Sequence, residues 1–192
     1  MARRAKTVAQ MYQLKVTLRG IRPPIWRRIQ VSGETTLGEL HDVLQIVMGW
    51  ENYHLHAFTA NGTQYGSPDP EWELDMEDED DVTVAQVLSA PPAKISYEYD
   101  FGDSWEHVVA LEKIIPPDLD THYPYCLKGK RACPPEDCGG PWGYESLLRA
   151  MADPRDSEHD TLLEWVGGPF DPEAFDLDAI NKRFPRAVAL NP

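Results

Sequence analysis

The chain of 192 residues lacks any long apolar run and contains only three cysteines. A membrane-spanning helix needs roughly 18 or more consecutive apolar residues, and no stretch of this sequence approaches that length. An odd number of cysteines cannot complete a set of intrachain disulfides. The start, MARRAKTVAQ, is positively charged but has no apolar stretch after it, which does not fit a secretory signal. Together these features predict a protein of the reducing cytoplasm with no membrane partner.

Acidic residues are missing before Glu34, although the whole chain has a net charge of −14. Phosphate groups repel an acidic surface, so this net charge disfavours a general nucleic-acid-binding protein. The basic first segment is the exception. The favoured interpretation is that this basic segment and the acidic remainder attract each other within the fold. The alternative is a basic patch for an anionic partner, in which nucleic acid would bind only through Arg19, Arg22, Arg27 and Arg28.

Complete catalytic signatures are missing as well. The stretch KISYEYDFGDSWEHVVALEKI, residues 94–114, contains Asp-Phe-Gly, a triplet that carries a magnesium-binding aspartate in protein kinases. A kinase also needs a glycine-rich phosphate loop, a strand lysine and a catalytic-loop aspartate, which the sequence does not contain. The serine nucleophile elbow and the Walker phosphate loop are also absent. Alternating apolar and polar residues on both sides of Gly102 instead predict an antiparallel hairpin.

Two registers fit this hairpin. A two-residue loop, Gly102–Asp103, is a recognised turn signal. A three-residue loop, Gly102–Ser104, places Phe101 opposite Trp105 and gives one wholly apolar face. A slip of one residue would move every side chain to the other face, so the two registers exclude each other. The apolar matching favours the second register, in which Trp105 and His107 are packed in the core.

The clearest helix is predicted by TTLGELHDVLQIVMGW, residues 35–50. Thr36 and Glu39 have the spacing of a capping box. Apolar residues recur at helical intervals, and Gly49 is placed to end the helix. Strands are predicted before it by the alternation in YQLKVTLRG, and after it by two short runs around Asn61-Gly62.

Strands first and helices last predict an α+β fold in a single domain spanning residues 1–192. Residues 10–115 are predicted to form a mostly antiparallel, β-grasp-like sheet with a helix packed on one face. Within them, the proline-flanked acidic loop 68–81 is predicted to be solvated. The segment 116–143 is rich in proline, glycine and cysteine and predicts a long loop that packs onto the domain. Residues 144–186 predict a C-terminal helical part.

A first candidate metal site lies in this loop, in HYPYCLKGKRACPPEDCGG. Three thiolates and one imidazole make a closed, structural zinc site. The residues that would supply them are Cys126, Cys133, Cys138 and His122. The C-x6-C-x4-C spacing differs from the tight pairs of zinc fingers, so three packed thiols are the alternative.

A second candidate site combines the strand HLHAF with the hairpin turn. His54 and His56 share one face of the predicted strand, and neutral imidazole is a common metal ligand. Asp103, Trp105 and His107 follow the Asp-Phe-Gly triplet. The catalytic interpretation is a metal-dependent hydrolase or nuclease using both strand histidines with Asp103 and His107. The structural interpretation makes Asp103 a turn former and His107 a packed side chain.

Five motifs occur in order along the chain: YQLKVTLRGIRPPIWRRIQV, TLGELHDVLQIVMGWENYHLHAF, YEYDFGDSWEHVVALE, CPPEDCGGPWGY and FDPEAFDLDAIN. With these motifs the sequence resembles the Ri-plasmid ORF-three-like family, also described as insertion-element passenger proteins of the TnpR type. The resemblance covers roughly residues 10 to 185. It implies a small α+β protein of bacteria, archaea and mobile elements, and it implies no catalytic residues. The TnpR label suggests a resolvase, but the sequence contains neither a serine-recombinase active-site pattern nor a helix-turn-helix with basic recognition residues.

The sequence therefore favours a cytoplasmic binding or adaptor protein that serves a mobile element or its host, with a protein or anionic partner. An enzyme is the less favoured class, represented by the metal-dependent hydrolase or nuclease. A nucleic-acid accessory protein using the basic N-terminal hairpin is the third possibility. Structural zinc is the one cofactor that the residue pattern suggests.

Overall fold

The computed structural model of the protein describes residues 10–68, 76–118 and 120–185. Within these ranges the strands are β1 Met11–Leu18, β2 Trp26–Ser32, β3 His56–Ala60, β4 Thr63–Gly66, β5 Glu77–Asp78, β6 Lys94–Tyr99, β7 Trp105–Ile115 and β8 Tyr125–Lys130. The α-helices are α1 Leu37–Met48, α2 Val84–Val87, α3 Gly140–Ala152, α4 His159–Val166 and α5 Leu177–Arg183. Half of the predicted acidic loop, residues 69–75, lies outside the described residues, as do the basic residues before Gln10.

All eight strands form one sheet in the order β5-β4-β3-β6-β7-β1-β2-β8. Each pairing is antiparallel except β4 with β5. The predicted α+β class with a mostly antiparallel sheet is therefore confirmed. The predicted hairpin at Asn61-Gly62 is also present, and both residues have the positive φ of a type I′ turn, 53° and 87°.

Helix α1 packs against one face of this sheet and closes the main core. The side chain of Thr36 accepts a hydrogen bond from the Glu39 backbone, and the Glu39 carboxylate accepts one from the Thr36 backbone, so the predicted capping box forms. Gly49 ends the helix in the left-handed conformation, with φ 90°. The apolar stripe of the helix is buried, as its spacing predicted: Leu37, Leu40, Val43, Leu44 and Val47. None of the helices in the described ranges is long and apolar enough to cross a membrane.

The β6–β7 hairpin forms in a register that neither sequence alternative anticipated. Tyr99 pairs with Trp105, and the connection is the five residues 100–104. The predicted pairing of Phe101 with Trp105 is wrong, because Asp100 already leaves the strand with a φ of 58°. The observed register is two positions away from the favoured one, so every side chain keeps its predicted face. Trp105 and His107 are accordingly buried, as expected, while Phe101 is 40% exposed.

The segment 116–143 is more ordered than its composition predicted. It contains strand β8, which pairs with β2 and extends the sheet by one strand. The first residues of α3 also fall within it. As predicted, parts of it pack onto the protein, since Cys126 and Cys133 are buried. Trp142, in the same segment, is 82% exposed.

The three C-terminal helices cover the β8 side of the sheet. None of the residues of α4 and α5 is fully buried, and these helices contact the core through half-buried apolar side chains such as Leu162 and Ile180. Asn181 of α5 accepts a hydrogen bond from the Cys126 backbone and donates one to the same residue, at 2.8 and 2.9 Å. This pair of hydrogen bonds fixes α5 to strand β8.

Candidate functional site: a three-loop site with a histidine–carboxylate centre

Three connecting segments meet at one end of the sheet, where β3 and β7 begin and where β6 and β8 end. We call residues 50–55, 100–104 and 134–140 the three-loop site. The indole of Trp50 donates to the Pro134 carbonyl at 3.0 Å, and the Asp103 carboxylate accepts from the Gly139 backbone at 3.1 Å. Each segment is therefore joined to another by a hydrogen bond between residues that are far apart in the sequence.

His54, Asp100 and Asp137 lie at the centre of this site, one from each segment. The Nε2 atom of His54 is 3.0 Å from Oδ1 of Asp137 and 3.8 Å from Oδ2 of Asp100. Among the residues that the structure describes, this is the single group of three His, Cys, Asp or Glu residues whose donor atoms all lie within 4.8 Å of one another. The residue types are those that hold divalent cations, with one imidazole and two carboxylates.

The hairpin turn orients Asp100 towards this centre. Its Oδ1 atom accepts hydrogen bonds from the backbone of Gly102 at 2.9 Å and of Asp103 at 3.3 Å. Its backbone N–H donates to the Leu55 carbonyl at 2.8 Å, which attaches the turn to the start of β3. Because Oδ1 is occupied by the turn, Oδ2 is the oxygen that faces His54.

The loop that carries Asp137 is held by its neighbour Glu136. One carboxylate oxygen of Glu136 accepts from the Tyr99 hydroxyl, and the other accepts from the Glu51 backbone at 2.9 Å. Burial and the hydrogen bond to Glu136 raise the pKa of Tyr99, so this hydroxyl stays a donor at neutral pH. A Cβ on Gly140 would lie 2.4 Å from the Asp103 carbonyl oxygen, so only glycine permits this close approach.

Exposed apolar side chains are concentrated on and beside the three-loop site. In the described part of the chain, five large hydrophobic residues are exposed: Tyr53, Leu55, Phe101, Trp142 and Trp165. The first three belong to the site, and the fourth lies in the first turn of α3, directly after it. Four of the five therefore lie on or next to the three-loop site. Single exposed hydrophobic residues scattered over a surface are common, but a concentration of them marks an interaction site.

His56 lies away from this centre, although it shares the strand segment with His54. Its Nε2 atom is 2.8 Å from a Glu79 carboxylate oxygen, and its ring stacks on His41 with 3.4 Å between centroids. His41 in turn places its ring nitrogens 2.8 Å from the Tyr97 hydroxyl and 2.7 Å from the Asn52 side-chain oxygen. Burial, reinforced by the neighbouring His56, lowers the pKa of His41 to about 3. The two stacked rings are thus held by hydrogen bonds to other residues, apart from the centre at His54.

Two further predicted site residues are enclosed in the core. His107 and Trp105 are both completely buried, and His107 Nδ1 lies 3.3 Å from the Tyr97 carbonyl. Burial lowers the pKa of His107 to about 4, so the ring is neutral at physiological pH. The structure therefore does not bring His54, His56, Asp103 and His107 into the single catalytic set that the hydrolase interpretation needs.

The four residues of the predicted zinc site are not brought together either. Cys126 lies within strand β8, whereas Cys133 lies beyond the end of that strand and accepts a hydrogen bond from Arg27 at 3.1 Å. Cys138 lies in the turn before α3, and His122 is exposed ahead of β8. The extended strand moves the chain by about 3.3 Å per residue, which separates the first thiol from the others. Their donor atoms form no group within 4.8 Å, although all four residues are described.

The chemistry of these thiols agrees with a packing role. Burial raises the pKa of Cys133 to about 11 and that of Cys138 to about 12. Burial also raises the pKa of Cys126. These raised pKa values keep the thiols protonated at neutral pH, as is common for cysteines packed in a core.

The four arginines proposed for an anionic partner do not form one exposed basic surface. Arg27 is 3% exposed and donates to a backbone carbonyl of α1 at 2.8 Å. Arg28 lies on the opposite face of β2, where it forms an ion pair with a glutamate of β7 at 2.6 Å. Arg19 pairs with another glutamate of that strand at 3.0 Å, and Arg22 is exposed. Two of the four arginines, Arg19 and Arg28, therefore pair with acidic residues of a later strand.

Sequence reasoning identified His54 but missed Asp100 and Asp137. Both aspartates lie in motifs that carried the family resemblance, YEYDFGDSWEHVVALE and CPPEDCGGPWGY. Both motifs were therefore recognised in the sequence. Their contact in the fold, however, depends on the path of strand β8, which lies between them. No local pattern encodes that path.

Comparison with known proteins gives consistent results. The profile of the family described as plasmid pRiA4b ORF-3-like protein matches residues 10–179. A protein of Sinorhizobium fredii, described as uncharacterized protein y4hQ, is 40% identical over 177 residues, which are 91% of each chain. A crystal structure from Methanosarcina mazei Go1, titled as protein of unknown function MM3350, has 39% identity and a TM-score of 0.81. The match covers 89% of this chain and 97% of the Methanosarcina chain.

These relatives are described without a catalytic activity, and they match nearly the whole chain. The fold, the ordered motifs and the extent of these matches agree, and the chain belongs to the plasmid pRiA4b ORF-3-like protein family.

Proposed function

We propose that this protein is a binding protein that recognises a protein partner through the three-loop site and the adjoining first turn of α3. The observation that carries this proposal is the concentration of exposed apolar side chains there. Tyr53 is 74% exposed and Trp142 is 82% exposed. Tyrosine and tryptophan dominate the energetics of protein interfaces, because each buries a large area at low entropic cost.

The rigidity of the site supports the same proposal. The three segments are joined by hydrogen bonds between side chains and backbone, so a partner would meet a surface that needs little reordering. The net charge of −14 favours a partner segment in which apolar side chains are flanked by basic residues.

A cytoplasmic location and a connection to mobile elements belong to this proposal. Three cysteines without disulfides support the first, since free thiols are typical of reducing compartments. The plasmid in the family description supports the second.

A comparison of tryptophan variants tests the binding surface. Trp142→Ala, alone and with Tyr53→Ala, is used beside Trp165→Ala, which removes an exposed tryptophan of α4 that does not belong to the three-loop site. Affinity capture from cells that express the protein should enrich one or more partners with the wild type and with Trp165→Ala. The double variant should lose them. Equal enrichment by the wild type, Trp165→Ala and the double variant would place the interaction elsewhere and contradict the proposal.

A further inference from the structure

We propose that His54, Asp100 and Asp137 bind one divalent transition-metal ion, of the class of Zn²⁺ or Mn²⁺. This inference does not depend on the binding of a protein partner, because it rests on the donor atoms alone. Imidazole nitrogen suits zinc and its neighbours in the first transition series, and carboxylate oxygen suits manganese as well as zinc. One nitrogen and two oxygens are a ligand set that both ions accept.

The separations between the donor atoms are close to those around a bound metal ion. Ligand bonds of about 2.0–2.1 Å in tetrahedral geometry place neighbouring ligand atoms about 3.3 Å apart. The distances from His54 Nε2 to the two carboxylate oxygens, 3.0 and 3.8 Å, lie on either side of this value. All three donor atoms are within 4.8 Å of one another, so small side-chain adjustments close the site.

The Nε2 atom of His54 is available as a metal ligand. Its Nε2 atom is shielded from solvent and makes no hydrogen bond, although the Asp137 oxygen is only 3.0 Å away. The two atoms are close but not in hydrogen-bond geometry, so the Asp137 oxygen lies off the axis of the Nε2 lone pair. A shielded polar atom without a partner is costly, and an ion on the axis of the nitrogen lone pair would satisfy it.

The charges and the supports of the ligands favour the same ion. Two carboxylates balance a dication, and in the described ranges the ion pairs of Asp100 and Asp137 involve only His54. Asp100 is held by two backbone amides through its other oxygen, as metal-ligating carboxylates commonly are. Because Asp137 comes from a different loop, the ion would clamp residues 134–140 to the hairpin turn. Three protein ligands leave at least one coordination position open.

Metal titration of the full-length chain, produced without a histidine tag and stripped by a chelator, tests the site. Isothermal titration with Zn²⁺ and, separately, Mn²⁺ should give one ion per chain for at least one of the two metals. His54→Gln and Asp137→Asn should each weaken that binding by about tenfold or more, since each removes a charged or strongly donating ligand. Asparagine tolerates the left-handed φ of 59° at position 137, so this variant keeps the loop conformation.

His122→Gln is the matched control, because it removes an exposed histidine outside the three-loop site. It should bind the metal as the wild type does, and the thermal melts of all apo variants should show that they are folded. Two outcomes overturn the proposal. One is the absence of stoichiometric binding by the wild type. The other is binding that survives both site variants but disappears when Cys126, Cys133 and Cys138 are changed to serine.

Discussion

At the scale of single residues, two tryptophans show how burial decides the role of one amino-acid type. Trp105 is completely buried against Tyr99 and Trp50 in the core, whereas Trp142 is 82% exposed. We predict that Trp105→Ala lowers the free energy of unfolding by about 3–5 kcal/mol, because a large cavity replaces the indole. Trp142→Ala should change it by less than about 0.5 kcal/mol.

Urea unfolding of the two variants and the wild type measures this contrast, with the slope of each transition checked for constancy. If Trp105→Ala were as stable as Trp142→Ala, the indole of Trp105 would have to be solvated, and β7 would have to present this residue on the opposite face of the sheet.

At the scale of elements, the contact between the hairpin turn and the start of α3 depends on one glycine. Gly140 has a φ of 67°, and an added Cβ would lie 2.4 Å from the Asp103 carbonyl oxygen. We predict that Gly140→Ala costs about 1–2 kcal/mol for the left-handed backbone, and more because the turn must move away. Hydrogen exchange at the Gly139 amide, which donates to Asp103, should accelerate.

Gly167→Ala is the control for this prediction. Gly167 has a φ of 83° at the end of α4, but a Cβ added there would meet no other atom within 4 Å. Both variants place alanine in a left-handed backbone conformation, but only Gly140→Ala also creates a steric clash with the Asp103 carbonyl oxygen. Equal losses of stability in the two variants would show that the turn and α3 are not in close contact.

At the scale of the whole molecule, two buried histidines make stability depend on pH. The pKa of His41 is lowered to about 3 and that of His107 to about 4, both chiefly by burial. In the unfolded chain both groups titrate near 6.5, so the unfolded state binds more protons between about pH 4 and 6.5. Stability therefore rises with pH across this window, and the protein should lose stability as the pH falls from 6.5 to 4.

We predict that His107→Leu, which replaces the ring by an apolar side chain of similar volume, weakens this dependence by up to about 1.4 kcal/mol per pH unit. Urea unfolding at several pH values between 4 and 7 measures the slopes. Exposed His122→Gln should retain the slope of the wild type. Glu112, whose pKa is lowered by its hydrogen bond from Arg28, is present in both variants and does not affect the comparison. Parallel curves for wild type and His107→Leu would refute the prediction.

The sequence by itself determined the features that depend on neighbouring residues. Thr36, Glu39 and Gly49 fixed the bounds of α1 because caps and helix ends use local hydrogen bonds and backbone angles. Alternation fixed which face of the β6–β7 hairpin is buried, since side chains on a strand point to opposite faces in turn. The ordered motifs indicated the family.

The tertiary structure alone decided what depends on contacts between distant segments. The hairpin register depends on a contact with a distant segment, the hydrogen bond that the Asp100 backbone donates to the Leu55 carbonyl at the point where β6 ends. Strand β8 was not predicted, because it is its pairing with β2 and not its composition that makes this segment a strand. The same strand separates the cysteines that looked like a zinc site and carries Asp137 to His54 and Asp100. Sequence patterns report local geometry, whereas a site built from three loops exists only where the sheet brings their ends together.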